Sequence, residues 1–164
     1  MKYVFVFVIL LATGNLFSQD YNFAFGVRTG NQAGVSYKKF KNDVDAVEVL
    51  ASFQDGGLHL TLVRQYYHPL LFHLSNQLFF YYGVGAHLGY GLYGGKMITI
   101  DGNVYRQKQF NATVGIDGVL GVEFHFIKYP LVLALDYKPV FEVNIPGGYR
   151  NDNTGFGITL LYTF

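Results

Sequence analysis

The side chains able to do chemistry are few and widely spaced. The five histidines are His59, His68, His73, His87 and His125, and none stands two or four residues from another. Those are the separations that would put two imidazoles on one face of a strand or a helix, ready to share a metal ion. Cysteine is absent, which excludes disulfides, thiolate metal ligation and a thiol nucleophile. Past residue 19 the serines are Ser36, Ser52 and Ser75, and none has both a histidine and an acid nearby in sequence. A triad can assemble from distant residues, but no local signature asks for one. Neither catalysis nor any metal or cofactor is therefore expected. Lys and Arg total 12 against 11 Asp and Glu, a net charge of +1, so there is no basic stripe to offset the phosphates of a nucleic acid. What remains is a set of ionic residues placed in unusually apolar surroundings: Arg28, Lys38, Glu48, His87, Asp117, Glu123, Asp136 and Lys138.

These surroundings are made of short alternating segments. Only 14% of residues are charged, while 51% are apolar and 18% aromatic, against about 25% charged in ordinary soluble domains. The one continuous apolar run is Tyr3–Ala12, preceded by Lys2 and followed by small and polar residues. That layout is a secretory signal, and its core is too short to span about 30 Å of hydrocarbon. Residues 1–19 are expected to be cleaved, leaving 20–164 as one domain.

From there, alternation dominates. YNFAFGVR sets Tyr21, Phe23, Phe25 and Val27 against smaller or polar neighbours, and VDAVEVLASF does the same with Val47, Val49, Ala51 and Phe53. FFYYGVGAHLGY, NATVGIDGVLGVEFHF, PLVLALDYKPVFEV and FGITLLYTF continue it. About eight strands are expected, most reaching the 9–11 residues of a tilted membrane strand. Breaks are expected at TGNQ, KND, QDGG, HPLLFHLSN, GLYGGKMITIDGNVYRQKQ, IKYP and NIPGGYRNDN. Within the longest of these, MITIDGNVYRQ alternates around an Asp-Gly pair suited to a hairpin turn.

Which face meets the surroundings decides the class. In a soluble barrel the large apolar residues would point inward; in lipid the order reverses. Here Glu48, Asp117, Glu123, Asp136 and Lys138 sit mid-strand, opposite unbroken rows of Leu, Val, Ile and Phe. Aromatic residues gather at strand ends, with Tyr21, Phe23, Tyr66, Phe80, Tyr82, Phe124, Phe126, Tyr162 and Phe164 at one rim, where amphipathic rings settle among headgroups. The expected fold is thus all-β, a closed antiparallel up-and-down transmembrane barrel. Its lumen would hold the eight ionic residues above, with His125 and Glu142, as a paired structural plug, because charges sealed in a narrow barrel must find partners. Three positive side chains (Arg28, Lys38, Lys138) face five negative ones there. An inward turn of Arg64, a carboxylate that stays protonated, or a charge on His87 would redress the balance; the alternative for Arg64 is the periplasmic rim. Neighbouring strands could also bring His87 to His125. The lumen glycines Gly83, Gly85, Gly89, Gly115 and Gly121 are read as room for bulky neighbours.

The final strand, F-x-I-x-L-x-Y-x-F with Tyr162 and Phe164, resembles the signal read by the outer-membrane barrel insertion machinery. With GGLHL, YYGVGAHLGY, GIDGVLGVEF and PLVLALDYKP, the mature chain resembles small single-domain OmpA-like or OmpX-like barrels of Gram-negative bacteria. The resemblance implies an outer-membrane location with periplasmic termini, and contact with lipid, lipopolysaccharide, the insertion machinery and other outer-membrane proteins. The resemblance does not specify an activity. The expected role is structural, adhesive or accessory, with an exposed edge of the MITIDGNVYRQ ribbon open to a partner strand, the alternatives being a small-solute pore and, behind it, a lipid A-modifying enzyme.

Overall fold

Rows of rings and branched side chains alternating with small or polar residues favour extended backbone, because a strand sends successive side chains to opposite faces. The computed structural model describes residues 22–42, 44–54, 57–71, 75–92, 97–100, 103–106, 110–145, 148–152 and 155–164. The expected signal segment, its cleavage point and Tyr21 lie outside these residues. Every regular element described is a strand: β1 (Phe23–Gly30), β2 (Ala33–Asn42), β3 (Asp45–Gln54), β4 (Gly57–Leu71), β5 (Ser75–Leu92), β6 (Met97–Ile100), β7 (Asn103–Arg106), β8 (Phe110–His125), β9 (Leu131–Tyr137), β10 (Val140–Ile145), β11 (Gly148–Asp152) and β12 (Phe156–Thr163).

The pairing is antiparallel throughout and closes on itself. β1 through β5 pair in chain order, β5 pairs with β8, and β8 pairs along its length with β10 and then β9. β10 pairs with β11 and β9 with β12, while β12 returns to β1 from Ala24↔Thr163 to Gly30↔Gly157. β9 with β10, and β11 with β12, therefore each make one stave, giving an eight-stranded closed barrel. Among the described residues the return of β12 to β1 and of β9 to β8 closes the sheet, while β11 is paired with β10 alone.

Two boundaries differ from the sequence reading. HPLLFHLSN is mostly strand: β4 continues through His68 and Pro69 to Leu71, with a register shift between Pro69 and Leu71. Proline lacks the ladder N–H, and the irregularity absorbs that loss. Conversely, the stave read as continuous through PLVLALDYKPVFEV breaks at Lys138–Pro139. There the Gly118 N–H donates to the Pro139 carbonyl at 3.0 Å and the Lys138 N–H to the Gly155 carbonyl at 2.9 Å. β6 and β7 form the separate two-stranded ribbon expected around Asp101–Gly102.

One end of the barrel, the terminal rim, holds Phe23 and the C-terminal Phe164, whose backbones exchange hydrogen bonds of 2.9 and 3.2 Å. At the far rim β1 turns into β2 through Gly30, whose φ of 119° a side chain would resist.

Candidate functional site: a polar lumen sealed in layers

The outside of the barrel is apolar and the inside ionic. Val84 is 69% exposed, Ile116 64%, Leu88 62% and Leu62 56%, while Glu123 is 0% and Lys38 1% exposed. Rings form two girdles. At the terminal rim Phe23 stacks on Phe164 and on Tyr37, Tyr66 lies tilted against Tyr82, and Phe124 meets Phe126 edge to face. Towards the far rim Tyr90 stacks on Phe110, and Phe53 and Phe156 are exposed at the ends of their strands. This second group was missed in the sequence, which gathered the rings at one rim and read Phe156 as part of the final strand's alternation. Between Tyr82 and Tyr90 the eight steps of β5 rise about 26 Å along the strand, which a tilt of about 40° shortens to roughly 20 Å. Among the side chains described, outward charges lie at the terminal rim. Lys39 lies 5.4 Å over the Phe23 ring, and Arg64 grips Asp45 through Nε at 3.1 Å and Nη2 at 2.7 Å. Arg64 therefore takes no inward place in the lumen; it reaches along the outer face to a rim carboxylate.

Inside, the lumen is filled in layers. Nearest the terminal rim is an apolar plug: Ala24, Val132 and Leu161 pack with Phe40, which also packs on Ala46, Val63, Tyr67, Tyr81, Val119 and Ala134. Next comes Lys38. Its Nζ donates to Glu123 Oε2 and to Tyr67 Oη, both at 2.7 Å, and stands 5.2 Å over the Tyr81 ring. His125 Nε2 lies 3.1 Å from the other Glu123 oxygen. Glu48 is held by neutral donors, Ser36 Oγ and Gln65 Nε2. Tyr81 stacks on Tyr67 with centroids 5.3 Å apart, and its hydroxyl donates to Asp136 at 3.1 Å. The same Asp136 oxygen accepts from Arg28 Nη1 at 2.6 Å.

The far layer is built around Asp117. Lys138 Nζ lies 3.0 Å from Asp117 Oδ1, an ion-pair distance without hydrogen-bond alignment, and it donates to Gln32 Oε1 at 2.9 Å and to Thr61 at 3.2 Å. His87 Nδ1 sits 2.8 Å from Asp117 Oδ2, and His87 Nε2 3.5 Å from Glu142 Oε2. His87 and His125 are not neighbours. The first stands opposite Gly115 in the β5–β8 register, and the second opposite Val132 near the other end.

The eight ionic residues named from the sequence thus all face inward, Glu48 being half-buried and the others buried. Tyr162 and Phe164 face outward at the terminal rim. The sequence reading did not anticipate Gln32, a turn residue folded back into the lumen and 4% exposed, or the neutral partners Ser36, Thr61 and Gln65. Tyr67 and Tyr81 were legible in one respect: they fall on the inward parity, where most rings do not. The glycines make their room. A Cβ on Gly121 would lie 2.6 Å from Tyr81 Cζ, and one on Gly115 would lie 2.5 Å from His87 Cε1.

No protein-family model and no curated protein matches the chain. Among solved structures it is similar to the N-terminal β-barrel domain of Pseudomonas aeruginosa OprF. The TM-score is 0.53 at 16% identity, over 89% of this chain and 100% of that one. The shared feature is the fold, an OmpA-like eight-stranded antiparallel barrel.

Proposed function

We infer that the chain is an integral outer-membrane barrel whose lumen is a structural plug, and that it serves the envelope as a structural, adhesive or accessory subunit, without catalysis. The observation that carries this is the reversed polarity: an apolar band between two aromatic girdles surrounds a core of ion pairs. In hydrocarbon such a band is favourable, while in water so much contiguous apolar surface would drive association. No helix among the described residues is long and apolar enough to cross a membrane; in this reading the strands cross. Residues 1–19 would direct export, and the terminal strand with Tyr162 and Phe164 would engage the insertion machinery. Lipid and lipopolysaccharide would then surround the mature barrel.

Two features favour a plug over a pore and over a lipid-modifying enzyme. Lys38, Glu123, Tyr67 and Tyr81 are each no more than 2% exposed in mid-lumen, above an apolar plug. Ser36 and Ser52 are buried on the inward face, and Ser36 is committed to Glu48, so neither meets a histidine on the lipid side. The β6–β7 ribbon offers backbone edges to which a partner strand could add. Planar-bilayer recording tests the reading: the purified barrel is expected to give no reproducible conductance steps. Regular ohmic steps would establish the pore instead. Gentle detergent solubilisation followed by co-purification is expected to retain a second envelope protein, and removal of residues 97–106 to release it.

A further inference from the structure

Three inward side chains from three staves converge in the far half of the lumen: His59 near the start of β4, His87 of β5 and Glu142 of β10. One ligand atom from each lies within 4.8 Å of the other two. They are diagonal neighbours across glycines. His59 stands opposite Gly89 in the β4–β5 register, while His87 and Glu142 both stand opposite Gly115 of β8. A Cβ at Gly89 would lie 2.7 Å from both His59 Nδ1 and Thr113 Oγ1, so the missing side chain is what lets the two approach.

The independent sign of a ligand is His87, which is 3% exposed. Its Nδ1 is 2.8 Å from Asp117 Oδ2, whereas its Nε2 is buried with no hydrogen bond. His87 thus lies between two carboxylates, Asp117 at Nδ1 and Glu142 beside Nε2, and a metal ion bound at Nε2 would take the place of a proton there. This is the outer-shell arrangement in which a carboxylate orients a metal-binding imidazole. The 3.5 Å between His87 Nε2 and Glu142 Oε2 is near the roughly 3.3 Å separating two ligands of a tetrahedral shell with bonds of about 2.0–2.1 Å.

We propose that His59, His87 and Glu142 bind a divalent transition-metal ion, with Asp117 fixing the orientation of His87. Two imidazoles and one carboxylate suit zinc or cobalt, whereas calcium and magnesium demand all-oxygen shells. The histidine spacing gave no sign of the site because each ligand comes from a different stave. One cation opposes the metal among the described side chains: Lys138 on Asp117. The metal must compete with it for the local carboxylates.

The test is a cobalt titration of the chain purified in detergent and stripped with chelator, read by visible absorption, with zinc calorimetry beside it. One equivalent is expected to bind with tetrahedral-type bands, and zinc is expected to raise the unfolding temperature. His59→Ala and Glu142→Gln are expected to abolish the bands while circular dichroism still reports the barrel. His68→Ala, on the exposed outer face, is expected to keep them. Should a lumen variant fail to fold, the wild-type stoichiometry and the zinc-induced thermal shift still decide. Absence of cobalt and zinc binding by the wild type overturns the proposal, as does binding that survives both His59→Ala and Glu142→Gln.

Discussion

Replacing Lys38 with Met is expected to lower the unfolding free energy of the barrel by about 3–5 kcal/mol, the range for leaving one partner of a buried ion pair alone. Glu123 is 0% exposed and keeps only neutral or weakly basic neighbours once Lys38 is gone, the Tyr67 hydroxyl at 3.0 Å and His125 at 3.1 Å. The penalty is the uncompensated carboxylate more than the lost attraction. The double variant Lys38→Met/Glu123→Gln is therefore expected to recover most of the loss, and urea unfolding of all three forms in lipid vesicles measures it. If the double variant were as unstable as the single, Lys38 would matter through its packing on Tyr81 and Tyr67, and not as a counter-ion.

Ile116→Arg is expected to cost about 2–4 kcal/mol, the penalty for a cation on the lipid face near the bilayer midplane. Ile116 is 64% exposed on β8, opposite Ala86 of β5 and Phe141 of β10, between the two girdles. The same exchange on a water-facing strand stays within about 0.5 kcal/mol. The measurement thus separates lipid from water as the surroundings of the band. Its control is Lys39→Leu at the terminal rim, where Lys39 already lies over Phe23; that change is expected to be nearly silent.

The eight-stranded closed barrel was legible because alternation has period two, and one slip would turn Leu133 and Leu135 inward and Asp136 out. Alternation assigns a face to Glu123 or Asp136. It is silent on partners, since Lys38 and Glu123 meet across the bore from β2 and β8. The Lys138–Pro139 break was visible as a proline and still read as strand, because the neighbouring Leu135, Tyr137 and Phe141 keep the parity. Gln32 was missed for a different reason. A turn residue carries no period, so nothing in TGNQ announces that its side chain returns to Lys138. Likewise the meeting of His59 with His87, ring centroids 5.8 Å apart, depends on the β4–β5 register, which no single segment contains.

The reversed polarity is tested most directly by a single spin label on a chain that has no native cysteine. Leu62→Cys, mid-band on β4 and 56% exposed in the native chain, is labelled and the barrel reconstituted in vesicles. Its relaxation is then compared with dissolved oxygen and with a water-soluble nickel chelate. High collision with oxygen and near-absence of collision with nickel is the result expected for a side chain among acyl tails. Ready access by the nickel chelate would put that face in water and contradict the account.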